Sequence, residues 1–545
     1  MNTITNLHRR KLLKYGAIAI AGAITHPVWV KAGDFVNANK ASTDFNPDVE
    51  IELTQNITDI AIFEGQKTRV WKVTGKVLKG SSDIVDNNDG TYLAPTLRFK
   101  KGQKIRLILN NNLPAQSILH WHGLHVPANM DGNPMYAINE GESYVYEFEI
   151  RNRAGTYWYH AHTHGVTARQ VYSGLAGLFI VSDEQEQALN LPSGDYDVPL
   201  VIQDRSFDTD NQLSYSSHMM QRMQGFLGEQ IFINGRPDFV LSVDTRAYRL
   251  RLLNGSNSRV YKLAWDDDTP VTVIGVDGGL LECPEQHGYV MLAPGERLEL
   301  WMDFSGRAVG SELTLRSLSF ATSTHGGGMG MMGGYGMMGG GMGMGRGGMM
   351  GGGMMSVSPL PSGSDYPVIK FRVTQKEQSN ATLPKVLTPI TTLCMKDAQN
   401  AENPKAISLS MQHMSALLNG RSYQMNDIQP DEVMPLNTLQ LMEFDNGFSG
   451  GGMGMGMMMA MPHPMHLHGE QFQVIKREVN SGSQDNYQTV AAGFVNGGWK
   501  DTVLVMPGEK VTILKPFNDF KGIFMVHCHN LEHEDMGMMR DLLVQ

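Results

Sequence analysis

The chain has 545 residues, of which 41% are hydrophobic, and its formal net charge is −10. This length allows three or four domains with buried cores, and the negative charge argues against nucleic acid as a partner. The three cysteines, Cys283, Cys394 and Cys528, are too few and too widely spaced for a disulfide framework, whereas 60 Gly and 37 Met residues are unusual.

The N-terminal segment is typical of an export signal. Arg9 and Arg10 precede an apolar run from Ala17 to Ile24. That run is too short to span a bilayer about 30 Å thick, so a twin-arginine signal is a better interpretation than a membrane anchor. We expect cleavage after residues 1–32, no stable membrane span, and a periplasmic or extracellular destination.

Most of the remaining chain predicts short β-strands separated by Gly, Pro, Asn and Asp turns. LRFKKGQKIRLILNN, SYVYEFEI, YRLRLLNGS and EKVTILKPF show the period of two that marks a half-buried strand. FKKGQKIRLIL, LAPGERLELWMDF and VMPGEKVTILKPF each place a Gly turn before such a strand. We therefore predict an all-β fold of three Greek-key β-sandwich domains, at 45–185, 190–375 and 385–545.

Two segments interrupt the strand pattern. Residues 326–355 are nearly pure Gly and Met, and residues 450–461 repeat this composition. Glycine offers no side chain to a core, so both segments are predicted to be mobile loops. Thioether sulfur prefers Cu(I), which favours copper capture over a plain linker, since a linker would more naturally use Ser, Glu or Lys.

Four His-x-His pairs give the strongest chemical signal. Residues two apart on a strand point to the same face, so each pair is expected to direct two imidazoles one way. Eight converging imidazoles favour copper, zinc, iron or nickel. The pairs are His120/His122, His160/His162, His466/His468 and His527/His529.

Cys528 lies between the histidines of the last pair and is expected to face the opposite side of the strand. There it could ligate a second metal together with His463, His533 and Met538. Two His, one Cys thiolate and a weak axial Met form a blue-copper electron-transfer site. The cysteine would then connect two metal sites through very few covalent bonds.

The order of these motifs carries a family resemblance. HWHG, HAH, HPMHLHG and HCHNLEHEDMGMM resemble the signature of multicopper oxidases, and HTHGVTARQVYSGLAGL and GWKDTV are similar to bacterial cuprous oxidases of copper-tolerance systems. The resemblance covers essentially all of the mature chain, and the second domain is its least distinctive part. It implies cupredoxin-like domains and an enzyme that uses O2 as acceptor, and we expect a monomer.

The resemblance also implies four copper ions and assigns their ligands. The trinuclear cluster would lie between the first and third domains, because those two alone supply its ligands. Type 1 copper would be held by His463, Cys528 and His533 with Met538 axial, type 2 copper by His120 and His466, and the type 3 pair by His122, His160, His162, His468, His527 and His529.

Two acids match the proton supply of this family. Reduction of O2 to two waters needs four protons, and a carboxylate within hydrogen-bond reach of the reacting oxygen can deliver them. Asp131 matches the acid near the type 2 copper, and Glu534, next to His533, matches the acid beside the cluster. The residues alone also allow a turn role for Asp131, before Gly132, and a solvated or salt-bridged Glu534.

The chain departs from the cuprous-oxidase pattern in two places. Those relatives carry an acidic residue four positions before the type 1 His, where this chain has Met459, while Met461 does match. The long Met-rich insert falls in the middle domain rather than the third. Met459 and Met461 are the candidate ligands for substrate Cu(I), and the Met-rich loops are candidate sites for additional labile copper.

The leading hypothesis is an exported multicopper oxidase that oxidises Cu(I) and reduces O2 to water in copper tolerance. A laccase-like phenol oxidase or a ferroxidase would keep the fold and change the electron donor. A non-catalytic copper-storing cupredoxin protein is the rival from another class, but such relatives have usually lost ligands that this chain retains.

The remaining histidines and cysteines have no assigned chemistry. Cys283 and Cys394 are expected to be buried and inert. Four histidines are expected to be structural or surface residues, and the one beside the Gly/Met insert, His325, is the best candidate for a further copper contact. These four are His125, His164, His325 and His413.

Overall fold

The computed structural model describes residues 40–215, 219–322, 358–377, 381–412, 415–447 and 461–545. The predicted export signal at 1–32, the insert at 326–355, the loop residues up to 460, and Met459, His325 and His413 lie outside the described residues. Within these ranges no helix combines the length and the apolar character needed to cross a membrane.

The strands fall into three consecutive stretches of chain. The first contains β1 (Val49–Ile60), β2 (Thr68–Lys79), β3 (Val85–Asp86), β4 (Thr96–Lys100), β5 (Lys104–Asn111), β6 (Leu119–His120), β7 (Ser143–Glu149), β8 (Gly155–Ala161) and β9 (Ala176–Ser182). The second contains β10 (Asp197–Arg205), β11 (Gln230–Ile233), β12 (Arg236–Pro237), β13 (Val240–Asp244), β14 (Ala247–Asn254), β15 (Tyr261–Trp265), β16 (Val271–Val276), β17 (Gly279–His287), β18 (Val290–Leu292), β19 (Arg297–Asp303), β20 (Glu312–Ser317) and β21 (Tyr366–Gln375). The third contains β22 (Lys405–Gln412), β23 (Ser415–Leu418), β24 (Val433–Met434), β25 (Thr438–Asp445), β26 (His463–Leu467), β27 (Gln473–Val479), β28 (Thr502–Val505), β29 (Glu509–Phe517), β30 (Gly522–Cys528) and β31 (Met539–Val544).

The helices are short. The α-helices are α1 (Thr167–Ser173), α2 (Glu184–Ala188), α3 (Met219–Gln224), α4 (Gln484–Gln488) and α5 (Leu531–Asp535). Single 3₁₀ turns occupy Ser82–Ile84, Ala128–Met130, Pro134–Tyr136, Gly194–Tyr196, Met395–Asp397, Pro430–Glu432 and Ala491–Gly493.

Each stretch builds two sheets, and we call the resulting units the first, second and third sandwich. The first sandwich has sheets β2-β1-β5-β7 and β3-β4-β9-β8-β6, and the second has β12-β11-β10-β14-β19-β16-β17 and β13-β21-β20-β15-β18. The third has β23-β22-β25-β29-β27 and β24-β31-β30-β26-β28. The prediction of an all-β fold is confirmed.

Alternating apolar residues from the two sheets of each sandwich form its core. Trp121 and Phe179 lie in the first core, Trp265 and Phe371 in the second, and Phe444 and other apolar side chains in the third. Inward-facing positions recur every second residue, which is why the strand segments carry period-two patterns.

The same topology recurs in all three sandwiches. One sheet of each contains a parallel pair, β1–β5, β10–β14 or β22–β25, followed by an antiparallel strand, β7, β19 or β29. One of the three segments predicted to repeat is therefore not structurally equivalent to the other two. FKKGQKIRLIL forms β5 in the parallel pair, whereas the strand equivalent to β19 and β29 is β7, in SYVYEFEI.

The second sheets place the His-x-His pairs. β8 and β30 occupy equivalent interior positions, and β6 and β26 lie beside them. The equivalent strands of the second sandwich, β20 and β15, have the sequences ELTLRS and YKLAW, without histidine. The outer sandwiches thus present imidazoles from matching strands, and the second does not.

The expectation that Cys283 and Cys394 are buried is wrong, since both are exposed. Cys283 lies on β17, whose residues from Glu282 onward are exposed or half-buried, so its side chain faces away from the core. Cys528 is buried.

Candidate metal centre

Strand ends position the His-x-His pairs. The first histidine of each pair lies in a strand, β6, β8, β26 or β30, and the second follows the end of that strand. His120 lies opposite His160 in the β6–β8 ladder, and His466 lies opposite His527 in the β26–β30 ladder. The two rings of each pair lie side by side, with centroids 5.0 to 5.9 Å apart, as expected for imidazoles directed the same way. Because the strand ends between them, the two imidazoles of a pair can reach different neighbours.

The eight imidazoles form three groups, each shared by the first and third sandwiches. In the first group His120 Nε2 lies 3.3 Å from His466 Nε2. In the second, His160 Nε2 lies 3.4 Å from His122 Nδ1 and 3.4 Å from His529 Nε2.

The third group contains the remaining three histidines. His527 Nε2 lies 3.3 Å from His162 Nε2 and 3.1 Å from His468 Nε2. All eight side chains are buried, in residues no more than 1% exposed. These groups follow the shortest nitrogen–nitrogen distances, and they overlap with other sets whose ligand atoms lie within 4.8 Å of one another, such as His120, His466 and His468.

The first group is suited to a cation because two nitrogen lone pairs face each other. His120 Nδ1 lies 2.6 Å from the Asp131 carbonyl oxygen and His466 Nδ1 lies 2.8 Å from the Asp501 carbonyl oxygen. A carbonyl only accepts, so both Nδ1 atoms carry the proton and both Nε2 atoms present lone pairs. Two lone pairs 3.3 Å apart repel each other unless a positive ion lies between them.

Carbonyl oxygens fix other histidines in the same way. His160 Nδ1–H donates to Ala161 O at 2.9 Å, and His527 Nδ1–H donates to Cys528 O at 3.2 Å, which leaves Nε2 of each free to bind a metal. His162 and His529 have no hydrogen-bond partner at Nδ1 among the described residues, so their tautomers are not fixed by such a contact.

Burial disfavours the charged form of most of these imidazoles. Removal from water, followed by the effect of neighbouring imidazoles in most cases, lowers the pKa of seven histidines well below the usual value, and burial lowers the pKa of His533 to about 4. Neutral imidazole is the form that ligates metals. The seven are His122, His160, His162, His463, His466, His468 and His529.

A separate group surrounds Cys528. Its Sγ atom lies 3.4 Å from His463 Nδ1 and 3.7 Å from His533 Nδ1, and these two nitrogens are 3.2 Å apart. His533 Nε2–H donates to the Met223 carbonyl at 3.0 Å, so its Nδ1 presents a lone pair toward the sulfur. Burial raises the pKa of the Cys528 thiol, so a thiolate there needs a nearby positive charge, which a metal ion would supply.

The methionines expected at this group differ in placement. Met538 is fully buried, and its backbone N–H donates to the His533 carbonyl while its carbonyl accepts from Cys528 N–H. Met461 is half-buried two residues before His463, and its carbonyl accepts from Asn446 Nδ2.

Cys528 connects the groups directly. His527 belongs to the third imidazole group, His529 to the second, and Cys528 between them to the sulfur group. The sulfur group is therefore one residue away from two imidazole groups along the chain.

Asp131 touches two of the imidazoles. Its Oδ2 accepts from His468 Nδ1–H at 2.6 Å, and its other oxygen, Oδ1, has no hydrogen-bond partner among the described residues. Burial raises the pKa of Asp131, against the opposing effect of His120. Asp131 also precedes a tight turn, as the alternative interpretation of its role requires. The next residue, Gly132, has φ +81°, and a Cβ there would lie 2.1 Å from the Leu119 carbonyl oxygen.

Glu534, in α5, is the second buried acid. Its Oε2 lies 3.1 Å from His527 Nδ1 and its Oε1 lies 3.8 Å from His162 Nε2. At 1% exposure it is not a solvated surface residue. The two acids thus contact different imidazole groups.

Two histidines outside the cluster have other neighbours. His125 is mostly buried, and its Nε2 contacts Asp519 Oδ2 at 3.0 Å. His164 is exposed and packs against the Tyr423 ring. These contacts fit the structural and surface roles expected for them.

Sequence reasoning missed Asp501 and Arg297. Asp501 Oδ1 lies 3.0 Å from His122 Nε2, and Arg297 binds Asp501 with two N–H groups. Asp501 lies in GWKDTV, a segment that indicated only a resemblance to bacterial cuprous oxidases. Arg297 stands 204 residues away, and no local pattern links it to the cluster.

Two models of the multicopper oxidase family match residues 69–186 and 397–545, the ranges that contain all twelve expected ligands. A multicopper oxidase of Staphylococcus haemolyticus is 30% identical over 483 residues, covering 86% of this chain and 88% of that protein. A laccase of Bacillus stratosphericus is 28% identical over 505 residues, covering 83% and 89%. The crystal structure of a multicopper oxidase from the hyperthermophile Aquifex aeolicus matches with a TM-score of 0.71 and 30% identity, over 92% of this chain and 97% of that one.

Proposed function

Because this chain belongs to the multicopper oxidase family of oxidoreductases, we propose that it couples one-electron oxidation of Cu(I) to the four-electron reduction of O2 to water. The observation that carries an oxidase reaction is the arrangement of two buried donor sets joined through Cys528. One set has sulfur and imidazole donors, and the other has eight imidazoles.

The proposed ligand sets follow the contacts. Bound copper would accept single electrons at the sulfur group and deliver four of them to O2 at the imidazole cluster. The type 1 set is His463, Cys528, His533 and Met538, the type 2 set is His120 and His466, and the type 3 set is His122, His160, His529, His162, His468 and His527. These sets would hold four copper ions in all.

The two buried acids lie beside the cluster, where they would relay protons to it. Asp131 Oδ1 lies 3.4 Å from His120 Nδ1 and makes no hydrogen bond with the described residues, so it is available to a water or to an oxygen being reduced. Glu534 lies against the third imidazole group. Both acids are fixed by packing, which holds them in position for proton transfer.

Burial of the sulfur group supports a small metal donor. His463 is 2% exposed and His533 is fully buried, with the Met223 carbonyl covering its outer nitrogen. A bulky phenol therefore has no direct contact with either imidazole edge in the described part of the chain. Met461 and the methionines that precede it would supply soft ligands next to His463, and Met459 and Met461 remain the candidate substrate ligands.

The proposal extends to the cellular setting. The twin-arginine signal at 1–32 would direct the folded protein to the periplasm or cell exterior, where oxidation of Cu(I) would contribute to copper tolerance. The Met-rich segments would hold additional labile copper. We retain 45–185, 190–375 and 385–545 as the proposed domain limits, and a monomer as the proposed state.

A laccase-like or ferroxidase activity is the second candidate, and the similarity to a laccase favours it. Steady-state O2 uptake with Cu(I), Fe(II) and a bulky phenol separates the candidates. We expect the highest kcat/KM for Cu(I), and a higher value for Fe(II) or the phenol would contradict the proposal. Cys528→Ser is the control. It should abolish O2 uptake with every donor, and full activity would exclude the electron route through Cys528.

A further inference from the structure

We propose that Arg297, from the second sandwich, is a positioning residue for the imidazole cluster: it holds Asp501 so that Asp501 fixes the tautomer and orientation of His122. The inference rests on the proposed copper cluster. It gives the second sandwich, which supplies no expected ligand, a defined role in the site.

His122 differs from its neighbours in the nitrogen that it directs inward. Among the eight described imidazoles, seven direct Nε2 toward another group member, whereas His122 directs Nδ1 toward His160 Nε2. Its Nε2 instead contacts Asp501 Oδ1 at 3.0 Å and Thr502 Oγ1 at 3.1 Å. The carboxylate accepts the Nε2 proton, which leaves the Nδ1 lone pair available for a metal.

Arg297 holds the carboxylate in a two-pronged pair. Its Nη1 donates to Asp501 Oδ1 at 2.7 Å and its Nη2 donates to Asp501 Oδ2 at 2.5 Å, with both residues fully buried. Such a pair fixes the orientation of the carboxylate as well as its charge. Because the guanidinium engages both oxygens, Asp501 is placed as an acceptor for His122 rather than as a metal ligand.

The remaining donors of Arg297 anchor it in the surrounding structure. Nε donates to the Thr156 carbonyl at 2.9 Å, Nη1 also donates to the Gly295 carbonyl at 2.8 Å, and Nη2 also donates to the Asp277 carbonyl at 2.9 Å. All five N–H donors are therefore used. One side chain connects the first sandwich (Thr156), the second (Asp277 and Gly295) and the third (Asp501).

The glycine of HWHG provides independent support. Gly123 has φ +87°, and a Cβ there would lie 2.4 Å from Asp501 Oδ2 and 2.8 Å from Arg297 Nη2. The residue after His122 must therefore lack a side chain for the ion pair to reach the imidazole. The motif glycine and the distant arginine belong to one arrangement.

The test compares Arg297→Met with Arg251→Met. Arg251 is also buried between the first and second sandwiches, donating to Thr156 Oγ1 at 3.0 Å and Glu299 Oε1 at 2.8 Å, but it touches no imidazole. Both variants should unfold at a lower temperature without copper, because each removes a buried guanidinium from its carboxylate partners. Only Arg297→Met should lose copper affinity at one type 3 position, by roughly 10- to 100-fold, as is typical when a group orienting a ligand is removed.

The readouts are copper bound per chain in a competition titration and the fraction of that copper visible by electron paramagnetic resonance. When one ion of a spin-coupled copper pair is lost, the remaining ion becomes visible by electron paramagnetic resonance. Destabilisation of the fold alone would not cause this change. Arg297→Lys keeps the charge and removes the two-pronged geometry, so it provides the test even if Arg297→Met does not fold. Its copper affinity should also fall.

Wild-type copper affinity in Arg297→Lys, or equal copper loss in Arg297→Met and Arg251→Met, would overturn the inference. A wild-type chain that takes up no copper would overturn the proposed function and this inference with it. The two failures are therefore distinguishable.

Discussion

For a single histidine, the hydrogen bond made by the outer ring nitrogen determines whether the inner nitrogen carries a lone pair that can bind a metal. Backbone carbonyls accept the Nδ1 protons of His120, His160 and His466, and the Asp131 carboxylate accepts that of His468. These contacts set the tautomers before any metal arrives. A preset tautomer reduces the reorganisation that metal binding would otherwise require.

The first prediction at this scale concerns proton supply. Asp131→Asn keeps an oxygen that can accept from His468 Nδ1–H but removes the ionisable group. We expect kcat for O2 reduction with Cu(I) to fall roughly 100-fold or more, the usual contribution of a positioned acid or base, while copper content stays at the wild-type level. Stopped-flow O2 consumption and metal analysis give both quantities.

The control is Asp59→Asn, which changes an exposed carboxylate paired only with Arg69 at the surface. Its kcat should match the wild type. If Asp131→Asn also turned over at the wild-type rate with full copper loading, Asp131 would not be a proton source.

The ligand roles of the histidines and Cys528 could be predicted from the sequence because their spacing along the chain forms recognisable motifs. The sequence did not predict Arg297 and Asp501, since their pairing is created by sandwich packing and leaves no local pattern. The burial expected for Cys283 was wrong for a related reason. The general preference of cysteine for the interior does not say which face of β17 carries the residue.

At the scale of elements, strand ends and short helices organise the site. α5 places His533 in the sulfur group and Glu534 against the third imidazole group within five residues. Glu532 accepts from Phe226 N–H and Asn257 Nδ2 of the second stretch, and Asp535 accepts from two backbone N–H groups at the start of α1. The helix therefore ties all three stretches to the site.

The sequence did not predict α3 or α5. Helices of five or six residues are too short to show a 3.6-residue period, whereas the strands were visible because alternation needs only four or five residues. The strand ends inside the His-x-His pairs were equally invisible, because the alternation does not state where a strand stops.

The prediction at this scale concerns the loop before β26. Deleting residues 450–459 should lower kcat/KM for Cu(I) and raise it for bulky phenols, because soft ligands and steric screening are lost together. Replacing Met453, Met455, Met457, Met458 and Met459 by Ser at unchanged length is the matched variant. It should lower the Cu(I) value without raising the phenol value.

Steady-state O2 uptake with both donors measures these effects. If the deletion changed neither donor, the loop would have no role in donor selection. If the Ser variant kept the wild-type Cu(I) value, the thioethers would not be the relevant feature of the loop.

In the molecule as a whole, the three sandwiches contribute different groups to the candidate metal centre. The first and third present histidines from equivalent strands, and the second contributes Arg297 and the Met223 carbonyl to the surroundings of the two groups. Three similar sandwiches were predictable from the recurring turn-strand segments. Which segments are equivalent was not, because β5 and β7 both alternate apolar residues after a glycine turn.

We propose that a sulfur-imidazole copper site and a three-copper cluster, built from eight imidazoles of the outer sandwiches, are joined through Cys528. Anomalous X-ray diffraction at the copper edge, on crystals of the fully loaded protein, tests it most directly. We expect four copper peaks: three among the imidazole groups and one between Cys528, His463 and His533. Fewer than four peaks at full loading, or no peak between the imidazoles of the first and third sandwiches, would contradict it.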